Sequence, residues 1–200
     1  MKTTVNTTMV DKAVDFLRKA AVELEELQVQ ASLGKAELED AFEDAKKDFN
    51  RFVHDSKTKV QKSQDKYEEI KTMFEELMVQ LALGKAETID AFKDQKKNIL
   101  LKLHDIEVKI KTNDTLNKAY NQLLMEIDKF KVKLDILENN LEDTKSNFKT
   151  TYDKGKQEFL EFVQKFKSDH EAQKEETQWD HFQGEMSEAF HHFKQAFSKS

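Results

Sequence analysis

Apolar side chains recur every three or four residues along most of this chain. A first run passes through Val10, Val14, Leu17, Ala21, Leu24, Leu27, Ala31, Leu38, Phe42, Ala45, Phe49 and Phe52. A second passes through Tyr67, Ile70, Phe74, Leu77, Leu81, Phe92, Ile99, Leu103, Ile106 and Ile110. A third passes through Leu116, Tyr120, Leu123, Ile127, Phe130, Leu134, Leu137, Leu141, Phe148, Tyr152, Phe159, Phe162 and Phe166. Steps of three and four place such residues on one stripe of a helix. Their alternation is the heptad-like form found in bundles and coiled coils.

Three polar stretches interrupt the stripe. In "KTNDTLN", residues 111–117, Asn113 and Asp114 favour a turn, and Asp114 or Thr115 can cap the helix that follows. In "HDSKTKVQKSQDKYEE", Ser56 and Ser63 stand where large apolar residues are due, and Asp65 with Glu68 resembles a capping box. The third is "KSDHEAQKEETQ", residues 167–178. The pattern therefore predicts an all-α fold: an elongated, antiparallel, up-down-up bundle of three helices over residues 8–60, 65–112 and 115–167. These occupy one unit, residues 1–167, followed by a polar linker at 168–177 and a short amphipathic helix at 178–200. Each long helix would span roughly 75 Å. The alternative is an extended coiled-coil dimer in which one helix runs from about residue 8 to residue 112.

The first two helices share a sequence. "EELQVQASLGKAELEDAFEDAKKDF" from Glu25 and "EELMVQLALGKAETIDAFKDQKKNI" from Glu75 agree at 16 of 25 positions. "FEDAKKDF" at Phe42 and "LEDTKSNF" at Leu141 agree at four of eight, which suggests a third, decayed copy. The period of about 50 residues then corresponds to one helix per repeat. Gly34 and Gly84 sit at the centre of the first two copies, in phase with Leu27, Ala31, Leu38 and Ala41. Each glycine could instead end one helix before another begins, but "LGKAE" supplies no N-cap after it, and the phase predicts glycine inside a helix, on a buried seam. Glycine there costs about 1 kcal/mol relative to alanine, so close approach of two backbones is the expected reason for it. A turn near residue 59 would set Gly34 opposite Gly84. Simple inheritance through duplication is the alternative.

The ending "WDHFQGEMSEAFHHFKQAFSKS" is different in kind. Trp179, Phe182, Met186, Phe190, Phe193 and Phe197 make one aromatic stripe. Such a helix either folds back onto the bundle or serves as an interaction helix for a partner groove or a lipid surface.

Composition supports helices and narrows the chemistry. Proline and cysteine are absent, and there are four glycines in 200 residues. Proline breaks helix interiors, and no disulfide or thiol chemistry is available. Acidic residues number 39 against 33 basic, with the signs interspersed, so a phosphate backbone is repelled on average and nucleic acid is not an expected partner. No apolar run reaches the roughly 18 residues of a spanning helix, and "MKTTVNTTMV" lacks the apolar core of a signal peptide. A cytoplasmic location is the expectation.

Candidate chemistry is sparse. Glu188 and His191 have the spacing of a di-iron ligand pair, but no second Glu-x-x-His exists to complete the set. His181, Glu185, Glu188 and His192 share a stripe that suits a solvated polar face better than a metal site. His54–Asp55 and His104–Asp105 recur at the repeat offset, but adjacent helical residues do not face each other. No phosphate loop, nucleophile elbow or zinc spacing is present. No catalytic residue, metal ligand or cofactor is assigned.

"LGKAE..DAF.D.KK" and "W..F..EM.EAF..FK.AFSK" resemble lysine- and glutamate-rich coiled-coil proteins of bacteria, some of them associated with stress. A broader similarity is to phasins and apolipoprotein-like bundles. That resemblance implies helices that open to coat hydrophobic surfaces; it carries over no catalytic residue. The expectation is a non-enzymatic interaction or scaffold protein with a protein partner or self-association. Lipid or hydrophobic-surface coating is the first alternative, and a metal-binding helical bundle the second.

Overall fold

A computed structural model describes residues 9–60, 67–142, 148–170 and 179–198. Among them the chain forms seven helices and no strand: α1 (Met9–Leu33), α2 (Lys35–Val60), α3 (Glu68–Leu81), α4 (Ile89–Lys111), α5 (Asp114–Glu142), α6 (Phe148–His170) and α7 (Trp179–Ser198). The fold is an all-α helical bundle. The three long helices of the sequence pattern, and the unbroken helix of its alternative, are both replaced. Each unit of about 50 residues is folded in half, so the bundle is about half as long as a 75 Å helix would make it.

The fold-back can be read from what α5 touches. Glu23 on α1 reaches Lys129 and Lys133 at 3.0 and 3.1 Å, while Phe49 on α2 stacks on Phe130 at 4.2 Å. Residues 23 and 49 thus lie at one level, on either side of a turn at Gly34. The ion pairs Glu69–Lys109 and Glu76–Lys102 show the same antiparallel relation for α3 and α4. Phe166–Phe182 and Tyr152–Phe193 show it for α6 and α7.

The glycine prediction is corrected here. Gly34 and Gly84 are exposed and lie between helices, not on a buried seam. A methyl group built at Gly34 would meet only the movable Glu37 carboxylate, at 2.9 Å, and one at Gly84 would meet nothing. Neither backbone is in the left-handed region. The apolar phase runs unbroken through Gly34 because α1 and α2 both turn their stripes to one core. Leu27 and Ala31 before the turn are buried, and so are Leu38 and Ala41 after it.

The two copies turn differently. In the first, α2 starts directly after Gly34, and the Leu38 amide bonds to the Gly34 carbonyl at 3.0 Å. In the second, the chain leaves the helix at Ala82 and re-enters only at Ile89. The deciding residue is Thr88. Its side chain accepts a hydrogen bond from the Ala91 amide at 3.1 Å and caps α4. Its counterpart Leu38 has no capping atom and is buried instead. At the α4–α5 junction the cap is Asn113, not Asp114 or Thr115: its Oδ1 accepts from the Thr115 and Leu116 amides.

α5 lies at the centre. It packs against α1, α2, α4 and α7; α3 closes one side against α2 and α4, and α6 closes the other against α1 and α7. From Leu123 to Asn140 no residue of α5 is exposed. A helix enclosed on all sides needs apolar residues all round, and Leu124, Met125, Val132 and Ile136 supply them off the stripe. α6 runs to His170, three residues into the linker expected at 168–177; residues 171–178 and 61–66 lie outside the described residues.

Phe130→Ala should lower unfolding free energy by ~3–5 kcal/mol, while Gly84→Ala should change it by no more than about 0.5 kcal/mol. Urea denaturation of both variants checks this; a large loss from Gly84→Ala would restore the close-contact role for glycine.

Candidate functional site

The repeat places one lysine of each copy in the interior. Phe42 and Phe92, at equivalent positions, meet with ring centroids 4.6 Å apart. One turn further on, Lys46 and Lys96 point inward, 1% and 6% exposed. Lys46 donates to the Leu83 carbonyl at 2.7 Å and to Gln95 Oε1 at 3.0 Å, and it lies over the Phe42 ring. Gln95 in turn donates to the Gly84 carbonyl at 2.9 Å. Lys35 donates to the Glu87 carbonyl, and Lys85 pairs with Asp40 at 2.6 Å. Side chains of α2 and α4 therefore satisfy the backbone of the 82–88 turn, which has no helix of its own to do so. Lys96 instead pairs with Asp135 at 2.6 Å and with Glu138 on α5.

These lysines were legible in part. Positions 46 and 96 follow Phe42 and Phe92 by four residues, which is the inward face. The doubled "KK" in both copies resembles a solvated pair, and only the packing shows that its first member is enclosed.

α5 carries the densest charge. Lys129 pairs with Glu23 and Glu126, Lys131 with Glu107, Lys133 with Glu23, and Asp135 with Lys96 and Lys194. Burial works against the Glu23 carboxylate, but the ammonium groups of Lys129 and Lys133 outweigh it and hold its pKa below the usual value. Asp128 is the opposite case. Burial, with a smaller contribution from Glu107, raises its pKa despite a hydrogen bond from Ser187 Oγ at 2.7 Å. Burial also pushes the Tyr120 phenol up to about 12 and raises that of Tyr152.

The aromatic stripe of α7 is core. Phe182, Met186, Phe190 and Phe193 are all at most 2% exposed. Phe182 meets Phe166 at 5.3 Å, Phe190 meets Phe159 at 5.4 Å and Phe16 at 6.2 Å, and Phe193 meets Tyr152 at 5.5 Å. The same stripe therefore does not face outward as an interaction surface. The side chains of Trp179 and Phe197 lie outside the described residues. Of the histidine stripe, Glu185 pairs with His170 at 3.0 Å, and the side chain of His181 lies outside the described residues; His191, off that stripe, meets Gln195 at 2.9 Å. Among the described residues, no three His, Cys, Asp or Glu side chains are placed to hold a metal ion.

Exposed apolar residues lie elsewhere, and the repeat places several of them. Val29 and Val79 are 52% and 62% exposed, and Leu33 and Leu83 are 69% and 39% exposed. These are equivalent positions at the same end of the bundle. A cleft of 930 Å³ opens beside Val29, between α1, α2, α4, α5 and α6, with Val29, Leu38, Ile89, Leu141, Lys149 and Tyr152 on its walls. Gly34 and Gly84, expected to meet each other, instead mark the turns beyond these leucines.

Fold and surface together define a helical bundle with a polar-laced interior and duplicated apolar side chains on one end. Compared with protein-family models, curated proteins and solved structures, the chain matches none.

Lys46→Met keeps the buried stem but leaves the Leu83 carbonyl and the Gln95 amide oxygen without their donor. It should cost about 1–3 kcal/mol and speed amide exchange in residues 82–88 ahead of the rest of the chain.

The two carboxylates should titrate with opposite sign. The lowered pKa of Glu23 stabilises the fold above the ordinary glutamate range, and this is lost as pH falls through the folded value. Glu23→Gln should therefore cost at most ~1 kcal/mol at pH 7, after screening, and nothing in acid. The raised pKa of Asp128 makes its ionised form a burden, present once pH exceeds the folded value. Asp128→Asn should melt at or above wild type at pH 7, with the two curves converging in acid. Thermal melts across pH read both.

Proposed function

We propose that this is a non-enzymatic helical interaction or scaffold protein of the cytoplasm, acting as a closed bundle through its outward apolar side chains. The observation that carries this reading is the duplicated exposure of Val29 with Leu33 and Val79 with Leu83. A surface this rich in charge has no packing reason to place the same two apolar residues outside twice. Exposed apolar groups repeated in position are what a contact surface needs. No described helix is long and apolar enough to cross a membrane. A role in stress, implied by the resemblance of the repeat and tail, belongs to the same proposal.

The rival coating function needs the helices to open. Against it stands the burial of the α7 stripe on three neighbours, α1, α5 and α6. A photo-cross-linking residue at Val79 should give discrete adducts in cells, and the same residue at exposed Asn98 should not. Phosphatidylcholine vesicles should neither bind the protein nor change its helicity. Vesicle binding that disappears when Asp128→Cys and Ser187→Cys are oxidised to clamp α7 on α5 would favour coating and overturn the closed-bundle reading.

A further inference from the structure

The outer face of α1 has a feature of its own. Val22 is 54% exposed, although the helix buries Ala20, Ala21 and Leu24 around it. Arg18 and Lys19 precede it by four and three residues; Glu25 and Glu26 follow it by three and four. All four are exposed. Residues three and four apart share a helix face, so the face reads basic pair, valine, acidic pair. A two-fold axis through Val22 would exchange the two charged pairs.

We propose that a second copy of this chain docks on this face, α1 against α1, antiparallel and centred on Val22. It goes beyond the interaction reading above, which rests on Val29, Leu33, Val79 and Leu83, because this contact is centred on Val22 instead. The argument is charge complementarity. In that register Arg18 of one copy faces Glu26 of the other and Lys19 faces Glu25, each twice by symmetry, while the two Val22 side chains meet on the axis. An isologous contact requires such self-complementarity, and two-fold dimers are the commonest closed assembly. Flanking charges of this kind set partner and orientation in paired helices. Asp15 and Val29 face each other at the margin and add nothing to the match. Glu25 already pairs with Lys156 of its own chain at 2.6 Å, which leaves Arg18 and Glu26 as the pair to test. A single helix pair is a small interface, so the dimer is weak and dilution separates it.

The experiment is sedimentation velocity over a concentration series in low salt. The wild-type mass should rise from that of one chain, 23.4 kDa, toward that of two, and fall back in high salt. Arg18→Glu should stay monomeric, because glutamates then face glutamates, and Glu26→Lys should stay monomeric because cations face cations. Mixing the two variants should restore the dimer, since both facing pairs are again opposite. Unchanged circular dichroism separates these losses from misfolding. A monomeric wild type at all concentrations, or a dimer indifferent to the two reversals, would overturn the proposal. Adducts from Val79 alongside a monomeric wild type would overturn the dimer and leave the interaction reading intact.

Discussion

Everything in this bundle is arranged around a helix, α5, that exposes no residue from Leu123 to Asn140. Over residues 129–136 the chain reads "KFKVKLDI", a strict alternation of charged and apolar residues. Such a run is the pattern of a half-buried strand. On a helix it distributes charge around the whole circumference, so no orientation of α5 hides its apolar side chains without also hiding its charges. The solution is a partner on each side: Glu23 of α1, Lys96 and Glu107 of α4, and Lys194 of α7. Attraction between buried ions is largely offset by the loss of their hydration, so such pairs add little net stability. A misplaced neighbour, however, leaves a charge buried alone, which costs several kcal/mol. The pairs therefore act on register. They determine where α1, α4 and α7 can sit along α5, and the apolar contacts supply the stability.

Enclosure also accounts for the folding in half. α5 spans 29 residues, with a kink at Tyr120. Two neighbours running past it as 75 Å rods could not surround it, and much of their length would remain uncovered. Folding each repeat at its glycine brings the bundle to the length of α5 and doubles the number of helices available to cover it. The periodicity of the sequence could not show this. A stripe that faces one core before and after a tight turn keeps its spacing, so Leu27, Ala31, Leu38 and Ala41 read as one helix when they belong to two. The all-α class was legible because it depends on the spacing alone. The hairpins depend on contacts between residues far apart in sequence, such as Glu23 and Lys129.

Local chemistry was legible unevenly. The cap at Thr88 stands in the sequence, but its meaning depends on the comparison with Leu38, a residue that the core claims. The tail shows the limit of pattern from the other direction. Six aromatic or sulfur-bearing side chains in a row suggest a surface seeking a partner, and the four that are described found one within the chain. The residues that do face outward, Val22, Val29 and Val79, were inconspicuous because they fall between stripe positions. A valine beside glutamates in a helix reads as filler until its exposure is known.

The contact between Phe42 and Phe92 has a consequence for how such a chain arises. These are the same residue of two copies, and they touch each other. One hairpin alone has no Phe92; its Phe42 can complete that contact only with another molecule's. Placing two hairpins in one polypeptide replaces an encounter that depends on concentration with one that depends on the linker, typically equivalent to millimolar partner. Once the contact is intramolecular, the two copies are free to diverge. The lysines beside the rings have done so, one holding a turn and the other holding α5. Duplication here has made a bimolecular association into part of a fold, and has released each half to specialise.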